Sequence, residues 1–206
     1  MERIIKVKGR AILFVAKNMV DIIMELRNVC LTHKQAMEEN KRQTSSLVAI
    51  LEKFDFTQEE IKTKYFSIDK VYYQENHTDT PKVKGYQFKH QMKVTLPLEY
   101  ERLNKILDQL AESELTLSYS LGYKVDQLAQ YQQEGMKRAM KDARNKAELL
   151  AACEGVEIKK VVNICYPTDE FCEPSVELYR KSQGPIEYRP EDEMIVEEVL
   201  VSYEIA

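Results

Sequence analysis

Between Lys84 and Leu96 the chain alternates without a break: Tyr86, Phe88, His90, Met92, Val94 and Leu96 against Gln87, Lys89, Gln91, Lys93 and Thr95. Successive strand side chains point to opposite faces, so this spacing predicts a strand with one dry and one wet side. An antiparallel sheet open to water on one face produces such a pattern. A parallel sheet covered by helices on both faces would need apolar residues at both sets of positions. The same period recurs elsewhere. Val20, Ile22, Met24 and Leu26 oppose Asp21, Glu25 and Arg27, and Leu115, Leu117, Tyr119, Leu121 and Tyr123 alternate with Thr116, Ser118, Ser120 and Gly122. Ile195, Val199, Val201, Tyr203 and Ile205 share one face of a closing strand. Further strands are expected over 3–7, 61–73 and 160–166, with a bend or bulge at Gly9 before the Ala11–Val15 run and a breaker-rich turn over 74–81.

Three helices fall between these strands. Thr32-His33-Lys34-Gln35 is a capping box, in which a Thr and a Gln three residues apart satisfy each other's backbone N–H groups. The helix it opens runs to about Lys53, with Met37, Asn40, Thr44, Leu47, Val48 and Leu51 on one partly polar face. Thr57 to Glu60 repeats the box and is expected to open a single turn. Pro97 reads as the first turn of a second helix with Leu103, Ile106, Leu107 and Leu110 as its apolar stripe. The third and longest helix, about Gln127 to Glu154, is expected to start at an Asp126 cap and stop at Gly155. Along it Gly135, Ala139, Ala143, Ala147 and Ala151 recur at steps of four, each step falling ~40° beyond a full turn. Leu128, Met136, Met140 and Leu150 lie on the same arc. Small side chains let a helix approach its neighbour closely, so this ridge reads as a packing seam against the sheet. The expected architecture is therefore α+β, an antiparallel sheet packed against three helices in one domain over 1–206, with two lobes also compatible with the pattern.

The stretch 167–193 has a different composition: four of the six prolines, and eight acidic against three basic residues. It reads as a long acidic, Pro-rich loop inside the domain. Over the whole chain, 30 basic and 34 acidic side chains leave a net charge of −4, which argues against a broad nucleic-acid footprint. No stretch approaches the ~18 apolar residues of a membrane span. Ala11–Ala16 is too short for a secretory core and is followed at once by Lys17, so a cytoplasmic address is expected. Cys30, Cys153, Cys165 and Cys172 are scattered, with no CxxC. Reduced thiols in a cytoplasmic protein are the expectation, without a metal site.

Catalytic signatures are missing from the residues as well. No GxxxxGK[ST], GxGxxG, GxSxG or HExxH occurs, and with only six glycines phosphate cradles and nucleophile elbows lose their usual backbone. His90 lies on an apolar strand face and reads as a satisfied core histidine, whereas His77 and His33 read as surface residues. Asp192, Glu193, Glu197 and Glu198 read as a solvated charge run, and Lys137, Arg138, Lys141 and Arg144 as an exposed helix face. Of the twelve tyrosines, Tyr72, Tyr73, Tyr86, Tyr119 and Tyr123 fall on or near strands, where they either edge a core or serve an interface. No catalytic, cofactor-binding or metal-binding residue is assigned.

Several segments, in order, resemble one family. They are Ile5-Lys6-Val7-Lys8-Gly9, a strand with Asp21 at its start, the Ile61-Lys62-Thr63-Lys64-Tyr65-Phe66-Ser67-Ile68 run, Lys84-Gly85-Tyr86-Gln87-Phe88 leading to Met92-Lys93-Val94, the alanine ladder ending in Leu149-Leu150-Ala151, and Val161-Val162-Asn163-Ile164. Together they look like the SIMPL-domain family, the YggE-like proteins of bacteria, from about Glu2 to Ile205. The resemblance implies an α+β fold, a tendency to self-assemble, and an association with stress tolerance and the cell envelope, but no catalytic residues. The sequence departs from the family pattern twice: it shows no secretory signal, and Lys53-Phe54-Asp55-Phe56 stands where a glycine commonly follows the first helix. The expected function is a non-enzymatic interaction or assembly protein, homo-oligomeric, with an unidentified protein partner and no nucleic acid. Two alternatives remain open: an enzyme or small-ligand receptor whose pocket is not connected in sequence, and an envelope protein lacking its signal.

Overall fold

The computed structural model describes residues 3–73, 82–166 and 189–206. The expected turn over 74–81, His77, Cys172 and residues 167–188 of the acidic stretch lie outside the described residues. The elements in chain order are β1 (Ile4–Val15), β2 (Met19–Cys30), α1 (His33–Glu52), β3 (Lys62–Tyr73), β4 (Lys82–Pro97), α2 (Tyr100–Ala111), β5 (Leu117–Lys124), α3 (Leu128–Glu154), β6 (Ile158–Cys165) and β7 (Glu193–Ile205). The class is α+β, with its strands in two antiparallel sheets. Each sheet belongs to a compact unit: a central one, Asn18–Lys124, and a terminal one made of Met1–Lys17 and Val125–Ala206.

In the central unit the strand order is β3-β4-β2-β5. β4 lies between β3 and β2 and buries Phe88, His90, Met92, Val94 and Leu96, the dry side of its alternation. Val20, Ile22, Met24 and Leu26 of β2 join them, and α1 and α2 close this face with Leu47, Leu51, Leu103 and Ile106. The opposite face is polar. There Asp21 accepts hydrogen bonds from Thr95 Oγ1, from Lys124 Nζ at 2.8 Å and from Lys93 Nζ at 3.3 Å. Burial pushes the Asp21 carboxyl up, but these three donors outweigh it and hold it below its ordinary value.

The capping box forms as expected: Gln35 N–H donates to Thr32 Oγ1 at 3.2 Å and Thr32 N–H to Gln35 Oε1 at 3.1 Å. The face of α1 is shifted from its expected centre. Ala36, Gln43, Leu47 and Leu51 are the buried residues, and Met37 is exposed. Gln43 Nε2 donates to Glu39 Oε1 at 2.7 Å, while Gln43 Oε1 finds no partner among the described residues. Hydrogen bonds from Arg42 and Gln43 hold the Glu39 carboxyl down at about 2. The departure at Lys53-Phe54-Asp55-Phe56 is built without glycine, because Asp55 itself takes the left-handed position at φ 66°. Phe56 then folds inward, and Arg102 lies over its ring and donates to Phe54 O at 2.6 Å.

Two boundary expectations are corrected. Pro97 ends β4, paired with Met19, and does not open α2. The next N–H, of Leu98, completes the sheet edge by donating to Asn18 O at 2.9 Å, and α2 starts only at Tyr100. Asp126 does not cap α3. Its Oδ1 accepts from Gln127 N–H at 2.9 Å, and Gln127, at φ 53°, stands at the cap position.

In the terminal unit the order is β1-β7-β6, and α3 covers one face. The alanine ladder is the seam: Ala139, Ala143 and Ala147 have no exposed surface and Ala151 is buried. Met140 packs beside them, but Leu128 and Leu150 are exposed. Gly9 makes no bulge; β1 pairs with β7 in unbroken register from Ile4 to Val15. Its role is approach. A Cβ built at Gly9 would meet Ala139 O at 2.0 Å and Ala143 N at 2.8 Å, so helix and strand backbones touch at this position. Gly155 ends α3 in the left-handed conformation at φ 65°, as expected.

Candidate functional site

His90 is the best-connected titratable side chain of the central core. It projects from β4 toward α1, opposite Phe66 of β3, and is 9% exposed. Its Nδ1 lies 3.1 Å from Asn40 Oδ1 and 3.0 Å from Thr44 Oγ1, and its Nε2 lies 3.1 Å from Thr63 Oγ1. Asn40 Oδ1 only accepts, so Nδ1 carries the proton and Nε2 receives the Thr63 O–H. The Phe66 ring meets the imidazole edge-on at 5.4 Å between centroids. Burial disfavours the charged ring and lowers the His90 pKa below its ordinary 6.5. The polar positions on the face of α1 thus have a use: Asn40 and Thr44 are one helical turn apart and clasp a single ring nitrogen.

A groove opens on each side of the imidazole. One, about 440 Å³, is lined by residues including Thr44, Ser45, Glu52, Gln58, Thr63 and His90. The other, about 420 Å³, is lined by Met37, Glu38 and Lys41 together with Asn40, Thr44 and His90. The order hydroxyl–imidazole–amide, Thr63–His90–Asn40, places an exposed hydroxyl on a base whose other nitrogen is oriented by a third group. Neither Asn40, Thr44 nor Thr63 was singled out for this role in the sequence. Their connection runs through 27 to 50 residues of chain and depends on how α1 lies over the sheet.

The other residues weighed in the sequence are dispersed. His33 opens α1 on the surface and meets Tyr86 edge-on at 5.8 Å. The acidic group at 192–198 is not one charge run. Glu193 pairs with Lys17 at 3.3 Å at the start of β7, and Glu198 with Lys8 at 2.6 Å on the sheet face opposite Glu197. Glu197 is buried, against expectation, because β7 alternation turns it toward α3 beneath Gly135. Its Oε2 accepts from Tyr166 O–H at 2.6 Å. Lys137, Arg138, Lys141 and Arg144 are exposed on α3; Arg138 pairs with Glu134 and Arg144 with Glu148, while Arg144 also lies over Tyr203. Cys30, Cys153 and Cys165 are free thiols. Among the described residues no three His, Cys, Asp or Glu side chains gather as metal ligands, and no helix is long and apolar enough to cross a membrane.

A second surface stands apart on the terminal unit. On the face of its sheet away from α3, Phe14 is 69% exposed and sits directly across from Met194, 48% exposed. Ile12 and Leu200 are exposed on the same face. Its central carboxylate, Glu198, is shared by Lys8 and Arg10, and Lys6 lies further along the same face of β1.

No curated protein matches the chain in sequence. A family model does, over residues 5–203, and its family is described as SIMPL, a protein of unknown function (DUF541). That match spans the strands and helices of both units, and the chain belongs to the SIMPL family.

Proposed function

We propose that this SIMPL protein is a non-enzymatic assembly module whose first partner is a second copy of itself. The observation that carries this reading is the outer face of the terminal sheet. A face that exposes Ile12, Phe14 and Met194 side by side gains by taking them out of water, and the nearest carboxylate, Glu198, is already held by Lys8 and Arg10. Family resemblance carries the same implication of self-assembly, together with a link to stress tolerance. Free thiols at Cys30, Cys153 and Cys165 favour a reducing, cytoplasmic setting. Sedimentation and light scattering over a wide concentration range test the core of the proposal. The mass should exceed the 24.1 kDa of one chain and fall in Phe14→Glu. A strict monomer at all concentrations would sink it.

A second reading rests on Thr63, whose hydroxyl lies 3.1 Å from His90 Nε2 at the wall of a groove. In it, Thr63 Oγ1 attacks an activated acyl carbonyl while His90 Nε2 takes the hydroxyl proton. The bond to the leaving alcohol then breaks, that alcohol receives the proton, and the acyl group remains esterified to Thr63. A chromogenic acetyl ester and mass mapping of the acylated peptide separate the readings. Acylation at Thr63 that disappears in His90→Gln selects the second; no acylation at Thr63 removes it.

A further inference from the structure

Four strands form the sheet edges among the described residues: β1 and β6 in the terminal unit, β3 and β5 in the central unit. An open edge exposes unpaired N–H and C=O groups, and soluble proteins guard such edges with charges, bulges or prolines. Three of the four are guarded. β1 carries Lys6, Lys8 and Arg10. β3 carries Lys62, Lys64 and Lys70, and its register breaks between Thr63 and Tyr65 and again between Val71 and Tyr72. β6 carries Lys159 and Lys160 and breaks between Ile158 and Lys160 and between Val161 and Asn163.

β5 has no such device along its length; its one charged residue, Lys124, is the last of the strand and is engaged by Asp21. From Leu117 to Tyr123 it holds no charged residue and no proline, and it follows β2 in unbroken register from Leu26↔Leu117 to Met19↔Lys124. The backbone parity of its free side follows from its hydrogen bonds. Arg27 N–H donates to Thr116 O and Asn18 N–H to Lys124 O, so the even-numbered residues turn their backbone toward β2. Tyr119 and Leu121 therefore direct theirs outward. Their side chains belong to the helix-covered face, as do those of Leu117 and Tyr123. Tyr119 is 44% exposed and the other three are only partly buried, an apolar margin left uncovered where the sheet stops.

We propose that β5 is the seam at which two copies of this chain join, antiparallel about a twofold axis through Ser120, making one continuous sheet from two central units. This names a contact separate from the outer face of the terminal sheet, and it rests on the self-assembly proposed above. The strand complements itself in this register. Tyr119 faces the partner's Leu121 as a hydrogen-bonded pair, and Leu117 faces the partner's Tyr123, so both apolar margins cover each other. Ser118 meets the partner's Gly122, and no charge is set against a like charge. Ser120 meets the partner's Ser120 as a non-hydrogen-bonded pair, the closer of the two pair types.

That last contact supplies the test. Ser120→Cys places two thiols across the axis at a Cβ separation a disulfide can span, and mild oxidation should give a covalent dimer of nearly the whole population. Ser118→Cys, two residues off the axis, and the unaltered chain with its native cysteines should give little under the same conditions. Ser120→Lys sets two cations opposite each other and should halve the solution mass at a concentration where the unaltered chain is paired, its circular dichroism spectrum unchanged. If the unaltered chain assembles but Ser120→Cys does not cross-link and Ser120→Lys keeps its mass, the seam is wrong and self-assembly stands. If the unaltered chain is monomeric throughout, both fall.

Discussion

The two units cover an antiparallel sheet in opposite ways. In the central unit, α1 and α2 stand off the strands on Leu47, Leu51, Leu103 and Ile106, which interdigitate with Met24, Leu26, Phe88 and Met92. In the terminal unit α3 lies directly on the backbone, through Ala139, Ala143 and Ala147 against Gly9. The first arrangement buries large side chains and draws its stability from apolar area. The second buries little side-chain volume per residue and gains from backbone-to-backbone contact, so it has no slack for an added atom. The lesson is that the units should fail in opposite directions: the central core when atoms are removed, the terminal seam when they are added.

The largest expected effect is Leu47→Ala. Leu47 has no exposed surface, and the cavity it leaves should cost about 3 kcal/mol, read as lost hydrogen-exchange protection in the central strands. Next comes Gly9→Ala, one methyl group, at about 2–3 kcal/mol in the terminal unit, since the added Cβ meets backbone at 2.0 Å. Its control is Gly135→Ala. There the added Cβ meets the movable Glu197 Cγ at 2.8 Å and Leu13 Cδ1 at 3.1 Å, while Ala favours the helix by about 1 kcal/mol. The two terms should nearly cancel. Equal losses from Gly9→Ala and Gly135→Ala would break the contrast between rigid and movable neighbours.

The pH response should separate the units as well. His90 is held neutral in the central core, its folded pKa below the ordinary 6.5 because of burial. The unfolded chain therefore takes up a proton first as pH falls. The stability linked to His90 is complete above the unfolded value and declines as pH drops through it toward the folded value. Denaturant titrations between about pH 7 and pH 5 should show that decline, and His90→Gln should flatten it. An unchanged slope in the variant would mean that another group carries the dependence. Asp55→Gly is the smallest effect, a gain of about 0.5–1 kcal/mol, because glycine occupies the left-handed conformation at φ 66° without a Cβ penalty. A loss would show that the Asp55 side chain does more for the turn than its backbone strain costs.

Much of the fold is legible in local pattern. β4 alternates from Tyr86 to Leu96, and from Phe88 to Leu96 its burial follows residue by residue. The Thr32–Gln35 box and the Gly155 stop form where they are expected because capping needs only neighbours a few residues away. Pro97 misled because proline suits both the first turn of a helix and the last residue of a strand, and only the pairing with Met19 decides between them. Gly9 misled for a related reason. A strand glycine marks either a bulge or a close approach, and the approaching α3 lies some 130 residues further along. Glu197 sits in a group of four carboxylates, and nothing local distinguishes the one that turns inward beneath a glycine.

By itself the sequence determined roughly where the strands and helices fall, which strand faces avoid water, the Thr32–Gln35 cap and the Gly155 stop, and that α3 can pack closely. Those properties are set by spacing within a few residues. Tertiary structure alone decided that the strands divide into two sheets, that Asn40, Thr44 and Thr63 converge on His90, that Asp55 replaces a glycine, and that β5 ends its sheet unguarded. Each depends on partners tens of residues apart, and the apolar pattern that drives burial specifies how much surface leaves water without specifying which distant surface covers it.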